Sequence, residues 1–166
     1  MEPAIVTDLP TSGQLGWTCD WQNLWENSDF DCEAIVKLQV RGQILGLMKF
    51  ALYPYPTNTP EFLEVLNLEA LQGQERSVKP VGLWLLWYAA TISLARCSGD
   101  DRGTLMQLDA MEVSIEYYRN KVRMEGLGWV SLGTEEKGYA FRFSRLGAAE
   151  FCSRTEGRFG APIRCR

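Results

Sequence analysis

From Glu33 to Val40 the positions largely alternate, with Ala34, Val36, Leu38 and Val40 toward one side and Ile35, Lys37 and Gln39 mostly toward the other. Period-two alternation predicts a half-buried strand. Arg41-Gly42-Gln43 is a turn signal, and Ile44 to Tyr53 reads as the return strand, with Gly46 a bulge or point of close approach. Pro54, Pro56 and Pro60 make the next stretch a loop, because proline donates no ladder hydrogen bond. Phe62 to Leu68 is again strand-like. Val81 to about Cys97 is apolar almost all round, which predicts a helix covered on most sides. A turn then leads to a short strand, Thr104 to Leu108, and to a second helix from near Ala110 that carries Tyr117 and Tyr118. Past Gly126 and Gly128, the stretches Trp129–Leu132 and Tyr139–Ser144 read as a hairpin pair. Ser144 is placed to cap a short helix through Cys152. Trp17, Trp21 and Trp25 recur at a spacing of four, as on one helical face. Residues 1–16 form an irregular lead-in and residues 153–166 a loose tail, so the expectation is one domain over residues 1–166.

The order strand, loop, helix, strand, helix from Phe62 onward is a βαβα unit, whose two strands should be parallel with a right-handed crossover. Its first loop, Gln72 to Pro80, is polar and feeds a helix start. Unpaired N–H groups and the positive end of the helix dipole make such a junction suited to phosphate.

Charge and composition narrow the chemistry. The 166 residues carry a formal net charge of −4 and no run of Lys or Arg, so neither nucleic acid nor an anionic membrane is an expected partner. There is no histidine. That removes the commonest general base and the His-dependent nucleophile pairs, and no metal site is expected. The five cysteines are odd in number and form no C-x-x-C, which fits a reducing, cytoplasmic setting. The N-terminus has no signal-peptide pattern, and the longest apolar run is too short to span a bilayer.

Four stretches carry a resemblance. They are Phe62-Leu63-Glu64, Lys79-Pro80-Val81-Gly82, Gly103 through Leu108, and Ser114-Ile115-Glu116-Tyr117-Tyr118 through Met124. In this order and spacing the chain resembles the GNAT superfamily of acyl-CoA N-acyltransferases, closest to a sparsely characterised bacterial branch. The resemblance implies an α+β (α/β layered) fold, with a mixed, mostly antiparallel sheet of six or seven strands and helices on both faces. It implies that the strands at Phe62 and Thr104 splay to admit the arm of acetyl-CoA or another acyl-CoA. It further implies transfer of the acyl group to the amine of a small molecule or peptide.

On that resemblance Leu66, Leu68, Arg76, Ser77, Val78, Lys79, Val81 and Gly82 would hold the acyl-CoA. Glu64 would be the general base and Tyr118 the proton donor to the leaving thiolate. Glu64 sits among apolar neighbours, Phe62 and Leu66, so desolvation should raise its pKa toward neutrality. Glu69 is expected on the opposite face, as a reserve. Each residue also has a plain structural role open to it. Glu64 could be an ion-paired carboxylate, Tyr118 a packed tyrosine, and Pro80 the first residue of a helix. Pro80, Asn67 and Arg123 depart from the family pattern, which has Gly, Glu and Gly there. These departures keep open an alternative, a catalytically inactive binding or interaction module of the same fold. A homodimer through an exposed strand edge, with the hairpin after Gly128 as its element, also remains open.

Overall fold

The computed structural model describes residues 1–14, 16–56, 59–71, 80–133 and 136–161. The chain runs β1 (Glu2–Pro3), a 3-10 turn (Val6–Asp8), α1 (Trp21–Glu26), β2 (Glu33–Val40), β3 (Gln43–Tyr53), β4 (Phe62–Ala70), α2 (Val81–Arg96) and β5 (Met106–Met111). A 3-10 turn (Glu112–Ser114), a π-helical turn (Tyr117–Val122), β6 (Glu125–Ser131), β7 (Lys137–Phe143) and α3 (Arg145–Phe159) follow. The seven strands form one sheet in the order β1-β2-β3-β4-β5-β7-β6. Every neighbouring pair is antiparallel except β4 and β5, which are parallel as the crossover predicts.

Local chemistry explains the joints. Arg41 and Gly42 both take positive φ (52° and 82°), the two-residue turn whose twist matches a hairpin. Leu38 pairs with Gly46 and Gln39 with Ile44, so Leu45 is an extra residue that bends β3. Gly46 is also a point of close approach, because a Cβ there would lie 2.5 Å from Val81 Cγ1 and 2.9 Å from Leu85 Cδ1. Through that contact α2 sits tightly on β3. Val81, Leu85, Leu86, Ala89 and Ala90 are fully buried, each large side chain contributing about 1.5–3 kcal/mol.

α3 packs along α2. Trp87 Nε1 donates to Glu156 Oε1 at 2.9 Å, Trp84 and Phe159 rings lie 6.1 Å apart, and Arg145 donates to the carbonyls of Leu94, Cys97 and Gly99. Ser144 does cap this helix, accepting from Gly147 N at 3.2 Å. The helix runs well past Cys152, however, so residues 153–159 are not loose tail. Packing of Phe151, Cys152 and Thr155 against the core outweighs the weak propensity of Gly157.

Other expectations shift. The lead-in contains β1, a 3-10 turn and buried Ala4 and Leu9. The helix expected from near Ala110 begins two residues later and is irregular, but it does carry Tyr117 and Tyr118. β5 continues to Met111, and residues 112–122 then run without a break from a 3-10 turn through α-helical Ile115 and Glu116 into the π-helical segment, before Arg123 closes it in the left-handed region (φ 65°, ψ 47°). β-branched and aromatic residues give this stretch little helical preference, and Val113 is 88% exposed, with nothing to pack against. Pro80 is the residue before α2 rather than its first, with extended backbone (φ −97°, ψ 112°).

Candidate functional site

β4 and β5 share only three pairs, Leu63 with Met106, Glu64 with Gln107 and Val65 with Leu108. Beyond Val65 the two strands part. β4 goes on pairing with β3 as far as Ala70, while β5 goes on pairing with β7 as far as Met111. The parting coincides with a bulge. Phe50 pairs with Val65 and Lys49 with Asn67, leaving Leu66 as the extra residue. A bulge bends its strand and increases the local twist.

The bulge also reorders the side chains. Glu64, Asn67 and Glu69 stand opposite Ala51, Lys49 and Leu47, which alternate along β3, so all three acidic or amide groups share one sheet face. The expectation that Glu69 lies on the face opposite Glu64 is therefore wrong. It assumed unbroken alternation. Glu69 is also not a reserve base. It accepts from Thr18 N and Oγ1 (both 2.6 Å), Cys19 N (3.2 Å) and Trp21 Nε1 (2.9 Å). Burial pushes its pKa up, but these four donors outweigh it and hold the carboxyl below its usual value.

Between the diverging strands lies a cavity of about 430 Å³. It passes through the sheet. Glu64, Asn67 and Asp109 line it from one face, Leu68, Leu108 and Tyr118 from the other. Tyr118 is on the second face because its ring packs 5.7 Å from Phe141, the partner of Leu108. Two expected residues, Glu64 and Tyr118, are thus brought to one cavity, together with Leu66 and Leu68.

Burial raises Glu64's pKa; its hydrogen bond with Gln107 opposes this and the nearby Asp109 charge adds to it. Asp109 is raised by burial alone. Asp109 and Gln107 were not singled out in the sequence. The signal that would have found them is the pairing of Glu64 with Gln107, since residues two apart on β5 share Glu64's face. Burial, and the neighbouring Tyr117, raise the pKa of Tyr118. Its hydroxyl has no hydrogen-bond partner among the described residues. Cys19 also borders the cavity, but burial and the Glu69 charge push its thiol up to about 11. Such a thiol is a poor nucleophile at neutral pH.

Arg76, Ser77, Val78 and Lys79 lie outside the described residues. Val81 and Gly82 open α2, where Val81 is fully buried. A Cβ on Gly82 would come within 3.3 Å of Tyr117 Oη and 4.0 Å of Leu68 Cδ2. Tyr117, also missed in the sequence, therefore stands at the start of α2 beside the cavity residue Leu68. Among the described residues no group of three or more His, Cys, Asp or Glu could hold a metal ion, and no helix is long and apolar enough to cross a membrane.

No family model matches the chain, and no curated protein sequence does. Solved structures do. The aminoglycoside acetyltransferase AAC(6')-Ib, in complex with coenzyme A and kanamycin, aligns over 79% of this chain and 78% of its own at a TM-score of 0.55 and 12% identity. The protein smu.2055 from Streptococcus mutans UA159 aligns over 87% and 98%, with a TM-score of 0.60 and 8% identity. A protein ascribed to the GNAT family from Desulfovibrio desulfuricans aligns over 74% and 75%, with a TM-score of 0.51 and 10% identity. The mixed sheet, the parting of its parallel pair and these likenesses agree: the chain has the fold of the GNAT N-acyltransferases.

Proposed function

We propose that the protein binds acetyl-CoA or another acyl-CoA between β4 and β5 and transfers the acyl group to an amine. The observation that carries this reading is the through-sheet cavity with a carboxylate on one face and a phenol on the other. The residues fit such a ligand. Leu66, Leu68, Leu108 and Ala110 offer an apolar wall to a pantetheine arm, and Gly82 leaves the start of α2 bare of a side chain. The solved structure of AAC(6')-Ib holds coenzyme A in the same fold. Arg76, Ser77, Val78, Lys79 and Val81 belong to the proposed diphosphate-binding segment on the resemblance.

Chemistry then divides between the faces. Glu64, with its raised pKa, accepts a proton from the ammonium form of the acceptor, directly or through water. The freed amine attacks the thioester carbonyl, the C–N bond forms and the C–S bond breaks. As the tetrahedral adduct collapses its nitrogen releases its second proton to solvent, and Tyr118 gives its own proton to the departing thiolate and recovers one from solvent, so that the net products are amide, free thiol and one proton. Asp109 beside Glu64 makes this side of the cavity acidic, which favours a cationic, amine-bearing acceptor. Aminoglycosides bound by AAC(6')-Ib are one such class. Titration calorimetry with acetyl-CoA, followed by thiol release over a panel of amines, tests the reading. Absence of binding at millimolar ligand removes it.

A second reading rests on Pro80 and Tyr117. Pro80 supplies no N–H at the edge of α2, and the Tyr117 hydroxyl stands over Gly82. Both lessen what α2 offers a diphosphate, as expected of a binding module without turnover. Ligand binding with no thiol release from any amine would select it.

A further inference from the structure

A second cavity, of about 220 Å³, opens one residue beyond Gly82 on α2. Its walls are Leu83, the end of the π-helical turn and the last turns of α3. Lys121, Arg123, Arg154 and Arg158 line it, and no carboxylate does. In a chain of net charge −4 this is a local excess of cations.

This charge is not neutralised by ion pairing: among the described residues none of the four forms an ion pair, whereas Lys37, Lys49, Arg119 and Arg142 each do. Arg154 donates to the Val122 carbonyl at 2.6 Å, which fixes its guanidinium at the cavity wall. Burial and the charge of Arg123 lower its pKa, with Glu150 opposing them, so the cations strain against one another. Arg123 moreover occupies the left-handed region that favours glycine. Retaining a charged side chain there costs about 1 kcal/mol in backbone conformation, a cost that clusters at functional positions. The remaining wall is uncharged, with Leu83, Phe151 and Phe159 as its apolar part and Asn120 and Thr155 as its polar part, and the Arg158 guanidinium lies 5.1 Å over the exposed Phe159 ring.

From this cavity we infer that the cluster Lys121, Arg123, Arg154 and Arg158 receives the 3′-phosphate of a CoA ligand, with the adenosine against Leu83 and Phe159. This rests on the acyl-CoA reading above and extends it to residues that α3 contributes. A phosphate monoester dianion suits several converging guanidinium and ammonium donors, and Leu83 in the cavity wall directly follows Gly82, beside which Tyr117 stands next to the cleft residue Tyr118.

The test compares CoA with 3′-dephospho-CoA by calorimetry, in the unaltered protein and in Lys121→Gln/Arg158→Gln, whose fold is checked by melting. Neither side chain of that pair holds a structural hydrogen bond among the described residues. The unaltered protein should bind CoA about tenfold more tightly or better. The variant should lose most of that preference while binding dephospho-CoA unchanged. Equal binding of both ligands by the unaltered protein, or a preference that survives in the variant, overturns the 3′-phosphate site and leaves the cleft reading standing. Failure of both ligands to bind the unaltered protein removes the cleft reading, and this site with it.

Discussion

Trp21 Nε1 donates to Glu69 Oε2 at 2.9 Å, joining two fully or largely buried side chains from opposite ends of the N-terminal half. With Thr18 and Cys19 as further donors, Glu69 fastens the tryptophan-bearing segment to β4. Glu69→Ala strips these donors of their acceptor and should destabilise the protein by about 3 kcal/mol, read by denaturant unfolding. Because the folded pKa of Glu69 is depressed, its contribution is present above the unfolded value and fades as pH falls through the folded one. The gap between the unaltered protein and Glu69→Ala should therefore narrow in acid. A gap independent of pH would deny Glu69 this role.

Glu64 has the opposite sign. Its folded pKa is raised, so any stability linked to it is full below the unfolded pKa, near 4.5, and is lost as pH rises through the folded value. Glu64→Gln should melt with the unaltered protein near pH 4 and about 1–3 °C higher at pH 7. The same substitution should lower acyl transfer about 100-fold and abolish the rising acid limb of its pH profile. A variant that keeps the limb would move the base elsewhere, Asp109 being the next carboxylate in the cavity.

Tyr118→Phe separates chemistry from packing. The hydroxyl has no protein partner among the described residues, while the ring packs on Phe141 and Tyr117. Removing the oxygen should leave the melting temperature within about 1 °C, since no internal hydrogen bond is lost. Thiol release should slow about 10- to 100-fold. Unchanged turnover would assign Tyr118 to packing alone.

Much of this architecture is legible in the chain because it follows from local rules. The β2–β3 hairpin declares itself at Arg41-Gly42, the covered helix at Val81 to Arg96, and the parallel pair through the crossover that α2 makes. What escapes is what depends on register. Nothing in Phe62 to Ala70 marks Leu66 as the bulged residue, and a single uncounted residue reverses the face of everything after it. Hence alternation read from the chain puts Glu69 on the wrong side, while Glu64, which precedes the bulge, is unaffected by it. α3 escapes for a different reason. Its C-terminal half is held by Trp84 and Trp87 of α2, partners that no reading of residues 153–159 contains.

Gly46→Ala tests the seat of α2. The added methyl would overlap Val81 and Leu85, both fully buried and without room to turn aside. A loss of about 1–3 kcal/mol is expected in denaturant unfolding. Because Val81 precedes Gly82, any relaxation must lift the start of α2, so acetyl-CoA binding should weaken more than the lost stability alone explains. An unchanged midpoint would mean that α2 is not seated on β3 in this way.

Arg123→Gly sets stability against recognition at one residue. In the left-handed region glycine carries none of the Cβ strain that arginine does, and it suits the position that closes a helical turn. The folded protein should gain about 0.5–1 kcal/mol despite the extra freedom glycine brings to the unfolded chain. Relief of the charge on Arg154 acts in the same direction. If the arginine were there for stability, its removal would cost rather than gain, and the preference for CoA over 3′-dephospho-CoA would be untouched. If it is there to meet a phosphate, the variant melts higher and discriminates less. The two measurements must move in opposite directions, and a variant that is both less stable and equally discriminating removes Arg123 from the anion cluster.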